Sequence, residues 1–148
     1  MTLKNTGKIF IYTDGGSRGN PGPAAVGVVI KDEGKTIIKS YQETIGERTN
    51  NEAEYEAVIL ALRRLKALMG RERIKKMEVV VYMDSLLVVS QLRGEFKVEE
   101  EKLHPLFMKI WNLRIDFGMM VFEHIPREEN KEADKLVNEA LDKEQQVL

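Results

Sequence analysis

The chain has 148 residues, 43% of them hydrophobic, a size and composition that suit one compact domain with a filled core. Its 23 basic and 24 acidic side chains leave a formal net charge of -1, so any attraction to nucleic acid or to an anionic membrane has to come from local placement of charge. No cysteine is present, which excludes a disulfide framework and thiolate zinc sites and suits a reducing compartment. With no apolar run in residues 1–8 and no long apolar stretch elsewhere, a cytoplasmic protein without a membrane partner is expected.

Residues 8–13, 25–31, 36–45, 78–83 and 119–125 carry alternating or short apolar patterns bounded by turn residues and predict five strands. The second and third flank Asp32-Glu33-Gly34-Lys35, a short turn with a glycine, so they should pair antiparallel and the first three strands should form a meander. Residues 51–69 bring Val58, Ala61, Leu65 and Leu68 to one face at spacings of three and four, the mark of an amphipathic helix, and Gly70 follows its end. A strand, a crossover helix and a further strand imply parallel pairing in a sheet covered by helices. Residues 85–92 and 99–114 predict further helices, the second interrupted or started near Pro105, with Phe107, Trp111 and Leu113 expected in the core. Residues 128–141 predict a last helix and 142–148 a frayed tail. With no repeat or linker, residues 1–148 are expected to form a single α/β domain and a monomer.

Four acids occupy positions that ordinary surface residues avoid. Asp14 and Asp84 follow the apolar strands 8–13 and 78–83, at the carboxyl ends where open α/β sheets usually bind ligands. Glu54 precedes Val58 in the inward helical series, and Asp134 keeps register with Val137 and Leu141 in the last helix. Each acid alone has an ordinary role open to it: Asp14 can shape a turn, Asp84 can cap a helix, and Glu54 or Asp134 can complement a helix dipole. Four carboxylates on one edge repel, by about 4 kcal/mol per pair at ~4 Å and an effective dielectric of ~20, so convergence would call for cations. Oxygen-only ligation suits Mg²⁺ or Mn²⁺, and two such ions balance four carboxylates.

Four strings carry a family resemblance. Thr13-Asp14-Gly15-Gly16-Ser17-Arg18-Gly19-Asn20-Pro21-Gly22 resembles the opening motif of type 1 ribonuclease H, Thr49-Asn50-Asn51-Glu52-Ala53-Glu54 its first-helix motif, and Met83-Asp84-Ser85 its fourth-strand motif. Pro126-Arg127-Glu128-Glu129-Asn130-Lys131-Glu132-Ala133-Asp134 is similar to its last motif, and the strings fall in family order over residues 8–141. The resemblance implies a ribonuclease H-like fold, a five-stranded mixed sheet in the order 3-2-1-4-5 with helices on both faces. It implies hydrolysis of the RNA strand of RNA/DNA hybrids, leaving 5′-phosphate and 3′-hydroxyl ends, in the removal of RNA primers and R-loops. Asp14, Glu54, Asp84 and Asp134 would then be the catalytic ligands of two Mg²⁺ or Mn²⁺ ions. Relatives use a mobile residue in the last loop, often histidine; Arg127 is the preferred candidate here and His124 the alternative, because an archaeal-like subgroup with a similar Pro-Arg-Glu string uses arginine.

Recognition of RNA requires contact with the 2′-hydroxyl, to which asparagine amides are suited. Asn20, Asn50 and Asn51 match hybrid-contacting positions of the family, Thr49 resembles a DNA-phosphate contact, and Ser85 is a further candidate; Asn20 can equally shape a turn, and Thr49 or Asn50 can cap a helix. Duplex RNA is a second substrate that archaeal-like relatives suggest. The basic stretch from Arg63 to Lys76 falls at the far end of the sheet and is expected to be solvated. Residues 93–102, where some relatives carry a basic protrusion, are acidic on balance, which predicts weaker and less salt-tolerant hybrid binding. Gly15 to Gly22 contain neither a GxGxxG nor Walker spacing, so no nucleotide cofactor is expected. A silent binding module on the same fold would have no reason to keep the repulsive acids, and related integrases and junction resolvases would lack the Gly-Asn-Pro-Gly and Thr-Asn-Asn strings.

Overall fold

In the computed structural model, which describes residues 7–147, the apolar segments form β1 (Lys8–Ser17), β2 (Gly22–Lys31), β3 (Ile37–Arg48), β4 (Glu78–Met83) and β5 (Met119–His124). One sheet holds them in the order β3-β2-β1-β4-β5, as expected. The meander β1-β2-β3 is antiparallel, and β1, β4 and β5 run parallel. Among the described residues five α-helices accompany the sheet: α1 (Asn50–Met69), the single turn α2 (Arg71–Ile74), α3 (Leu86–Leu92), α4 (His104–Ile115) and α5 (Lys131–Val147).

The hairpin strands run longer than their apolar patterns. Gly15, Gly16 and Ser17 continue β1 by pairing with Val26, Ala25 and Ala24, where small residues carry little hydrophobic signal. Asp14 therefore lies inside β1 rather than after it. The parallel pairing of β1 with β4 ends at Tyr12 and Tyr82, so Asp14 still stands where the two strands part.

Side-chain alternation on β2 assigns the two faces. Val28 and Ile30 enter the main core with Ile9, Ile11, Val79 and Val81, against Tyr55, Val58, Leu62 and Leu65 of α1. Ala25 points the other way and packs with Val137, Ala140 and Leu141 of α5. A Cβ at Gly27 would stand 2.4 Å from the Ala133 carbonyl oxygen, so the bare glycine is what lets α5 lie this close to β2. Outside α5, the same face carries Phe10, Tyr12 and Tyr82, with the Lys35 ammonium 3.5 Å from the Phe10 ring centre and that of Lys31 4.8 Å from Tyr12.

The start of α1 is set by a capping box: the Thr49 hydroxyl accepts from the Glu52 N–H, and the Glu52 carboxylate accepts from the Thr49 N–H. Three expectations are corrected. Leu68 is 40% exposed, because the inward series runs through Leu65 to Met69. Trp111 is 47% exposed and stacks on Phe107; α4 buries Ile110 and packs Phe107 and Leu113 against the core, which turns Trp111 outward. The tail expected to fray is helical as far as Val147, because the Arg18 guanidinium donates to Asp142 and Gln145, each at 2.7 Å. Residues 1–6 and Leu148 lie outside the described residues.

Candidate active site

Glu54 is brought to β1 by an unusually close approach of helix and strand. A Cβ at Gly15 would fall 2.2 Å from the Ala53 carbonyl oxygen, so only glycine admits α1 at this distance. The contact leaves the Gly15 N–H donating to Glu54 Oε1 at 2.6 Å, which aims the carboxylate at the end of the sheet. Asp84 follows β4 directly, and Ser85 behind it caps α3 by accepting from the Val88 N–H. One carboxylate oxygen from each of Asp14, Glu54 and Asp84 lies within 4.8 Å of the others. Asp134, in the first turn of α5, lines the same cleft of about 440 Å³.

These acids are held at a distance where they oppose one another's ionisation. Burial first, then the charge of Asp84, pushes the Asp14 carboxyl up to about 7, with Asp134 adding in the same direction. Burial likewise raises Glu54 well above the usual carboxylate range, reinforced by Asp14 and Asp84 and partly opposed by the Gly15 N–H. The charges that act on Asp14 and Glu54 are those of other acids, and the donors of the cluster are all oxygen. A hard divalent cation fits it on both counts.

The remaining expected site residues divide into those that line the cleft and those that do not. Asn50, Asn51, Ser85 and Arg127 line the cleft with the acids. Asn50 Oδ1 accepts from the Ser17 N–H at 2.9 Å, and Asn51 Nδ2 donates to Glu100 at 2.9 Å. Asn20 and Thr49 are not among the lining residues but bond to the segment that is: Asn20 Oδ1 accepts from the Asn50 N–H at 3.0 Å, and Thr49 caps α1. His124 is exposed at the end of β5 and is not among the residues lining the cleft. The basic stretch after Arg63 lies at the far end of α1, where Lys66 pairs with Asp116 at 2.7 Å.

Three contributors had no role in the sequence expectation. Arg18 and Asn138 line the cleft, and Arg18 joins the β1–β2 turn to α5. Asn130 is buried, and its Nδ2 donates to the Thr13 carbonyl at 2.9 Å and to Asp84 Oδ2 at 3.3 Å. The sequence offers little to mark it: Asn130 stands immediately before α5, where an asparagine reads as a helix cap.

A mixed sheet in this order, with acids where its central parallel strands part and one more from each of two helices, defines a ribonuclease H-like domain. Residues 12–140 match a family model described as reverse transcriptase-like. The crystal structure of LC11-RNase H1 in complex with an RNA/DNA hybrid superimposes with a TM-score of 0.88 at 51% identity, covering 93% of this chain and 99% of that one. Ribonuclease HI of Halobacterium salinarum is 40% identical over 136 residues, 92% of this chain and 65% of that protein. A bifunctional protein of Mycobacterium tuberculosis is 38% identical over 136 residues, 91% of this chain and 36% of its own length. The chain thus spans between about one third and two thirds of these curated relatives. It belongs to the type 1 ribonuclease H family, whose members use divalent metal ions.

Proposed function

We propose that the protein is an endoribonuclease that hydrolyses the RNA strand of RNA/DNA hybrids, with Asp14, Glu54, Asp84 and Asp134 holding two Mg²⁺ or Mn²⁺ ions. The observation that carries this reading is the meeting of three acidic side chains within 4.8 Å in a cleft that Asp134 and Arg127 also line. When bound, such ions lower the pKa of water and offset charge on the phosphate oxygens. The chain's own groups do the rest. Gly15 fixes the Glu54 carboxylate, so that the ligand set is formed before substrate arrives. Asn50 and Asn51 line the cleft with amide groups able to both donate to and accept from a 2′-hydroxyl, the feature that separates RNA from DNA. Asn20 and Thr49 support that contact by holding Asn50 and the start of α1. Ser85 lines the same wall beside Asp84.

Water adds to phosphorus, the bond from phosphorus to the 3′ oxygen breaks, and that oxygen takes up a proton, leaving 5′-phosphate and 3′-hydroxyl ends. Arg127, a fixed cation on the cleft wall, suits the charged phosphate. It is the better placed of the two loop candidates, since His124 stands outside the lining. The absence of cysteine suits a reducing compartment such as the cytoplasm. Strand-specifically labelled hybrid, single-stranded RNA, duplex RNA and duplex DNA, each incubated with Mg²⁺, Mn²⁺ or EDTA, test the assignment. Cutting of the RNA strand of the hybrid with either metal and none with EDTA is expected; equal cutting of duplex DNA refutes the substrate, and cutting of duplex RNA widens it.

A further inference from the structure

Asn130 is hydrogen-bonded to β1, to the acid that follows β4, to the first turn of α5 and to the turn that holds Arg127. It is 1% exposed. Its Nδ2 reaches the Thr13 carbonyl, one residue before Asp14, and the Asp84 carboxylate. Its backbone carbonyl accepts from the Asp134 N–H at 3.1 Å, and its own N–H donates to the Arg127 carbonyl at 3.0 Å. The residue before Asp14, the Asp84 carboxylate and the backbones of Asp134 and Arg127 therefore share one point of attachment.

A capping asparagine would spend its side-chain oxygen on the first free N–H groups of the helix that follows. Asn130 does not. Its Oδ1 is buried and finds no hydrogen-bond partner among the described residues, while the amide nitrogen is committed to Asp84 and Thr13. Buried amide oxygens are nearly always satisfied, so this orientation is kept against the needs of its own helix. What it secures is the direction of the Asp84 carboxylate: Oδ2 accepts from Asn130 at 3.3 Å, and one Asp84 oxygen lies within 4.8 Å of carboxylate oxygens of Asp14 and Glu54.

We infer that Asn130 is a positioning residue that orients the Asp84 carboxylate toward a divalent cation and sets the spacing of Asp14, Asp84 and Asp134. The inference rests on the proposed role of these acids as metal ligands. Groups that hydrogen-bond a metal ligand from behind govern affinity as well as rate, and their loss typically weakens metal binding about 10–100-fold.

Two measurements test it. In ¹⁵N-labelled wild-type protein titrated with Mg²⁺, the Asn130 side-chain amide signals are expected to shift along the same saturation curve as the backbone amides of Asp84 and Ser85. Asn130 signals that stay still while those of Asp84 move overturn the inference, without recourse to any variant. Calorimetric titration of Mn²⁺ into Asn130→Ala and Asn130→Leu gives the second, beside thermal melts in EDTA. Both variants are expected to bind Mn²⁺ about 10–100-fold more weakly, including Leu, which refills the volume and restores the packing. Wild-type affinity in either folded variant, or a leucine that restores both melting temperature and affinity, reduces Asn130 to a structural peg. A wild-type chain that takes up neither cation fails the ligand assignment itself rather than the part given to Asn130.

Discussion

Replacing Asp14 by asparagine is expected to stabilise the metal-free protein at pH 8 and to leave it unchanged at pH 4. The carboxyl is pushed from 3.8 to about 7 by burial and then by its acidic neighbours, so the folded chain holds this proton more tightly than the unfolded chain does. The associated stability is fully present below about pH 4 and is lost as the pH rises through about 7. A rise of about three pH units corresponds to about 4 kcal/mol at about 1.4 kcal/mol each, and the proton that Asp14 takes up also relieves Glu54, which brings the expected range to about 2–4 kcal/mol. Asparagine keeps the shape and removes the charge. For a chain of this length each kcal/mol moves the melting temperature by about 2–4 °C, so the variant is expected to melt roughly 4–16 °C above wild type at pH 8 in EDTA. Calorimetric melts of both proteins from pH 4 to 9 read the difference directly. Saturating Mg²⁺ is expected to close or invert the gap, since it stabilises only the protein that can bind it. Equal melting temperatures at pH 8 in EDTA, or a wild type that gains on the variant as the pH rises, refute the reasoning.

Three further substitutions probe other parts of the site. Gly15→Ala forces a Cβ to within 2.2 Å of the Ala53 carbonyl oxygen and is expected to cost about 3 kcal/mol in urea unfolding; a loss under about 1 kcal/mol denies the close approach of α1. Arg127→Ala is expected to lower kcat about tenfold or more with an unchanged melting temperature, whereas His124→Ala stays within about twofold; the reverse ranking would move the loop role to His124. Arg18→Ala is expected to speed amide exchange over residues 142–147 while changing global stability by less than about 1 kcal/mol, and unchanged exchange there would deny that Arg18 holds the end of α5.

Charge and period made the acids visible in the sequence. Glu54 and Asp134 stand in helical register with buried apolar residues, and Asp14 and Asp84 directly follow apolar runs, so each departs from a local pattern that one residue type explains. The sheet order was carried by the family motifs rather than by periodicity, and the sheet has that order. What escaped notice depends on contacts across the chain. Asn130 carries no charge and sits just before a helix, where it reads as a cap; its partners, Thr13 and Asp84, are 117 and 46 residues away. The anchoring of the last turns of α5 depends on Arg18, 124 residues from Asp142 and 127 from Gln145. Trp111 was misjudged because a residue's size does not say which side of an amphipathic helix meets the core.

The central claim is that four carboxylates act together on the RNA strand of a hybrid. Single-turnover cleavage of a labelled RNA/DNA hybrid in Mg²⁺ or Mn²⁺ by wild type and by Asp14→Asn, Glu54→Gln, Asp84→Asn and Asp134→Asn, with hybrid binding measured separately in EDTA, tests it most directly. RNA-strand cutting by wild type that is lost in Asp14→Asn, Glu54→Gln and Asp84→Asn and reduced in Asp134→Asn, with binding retained throughout, is the predicted result. Undiminished cutting by Asp14→Asn or Asp84→Asn, or no cutting by a folded wild type that binds the hybrid, would contradict it.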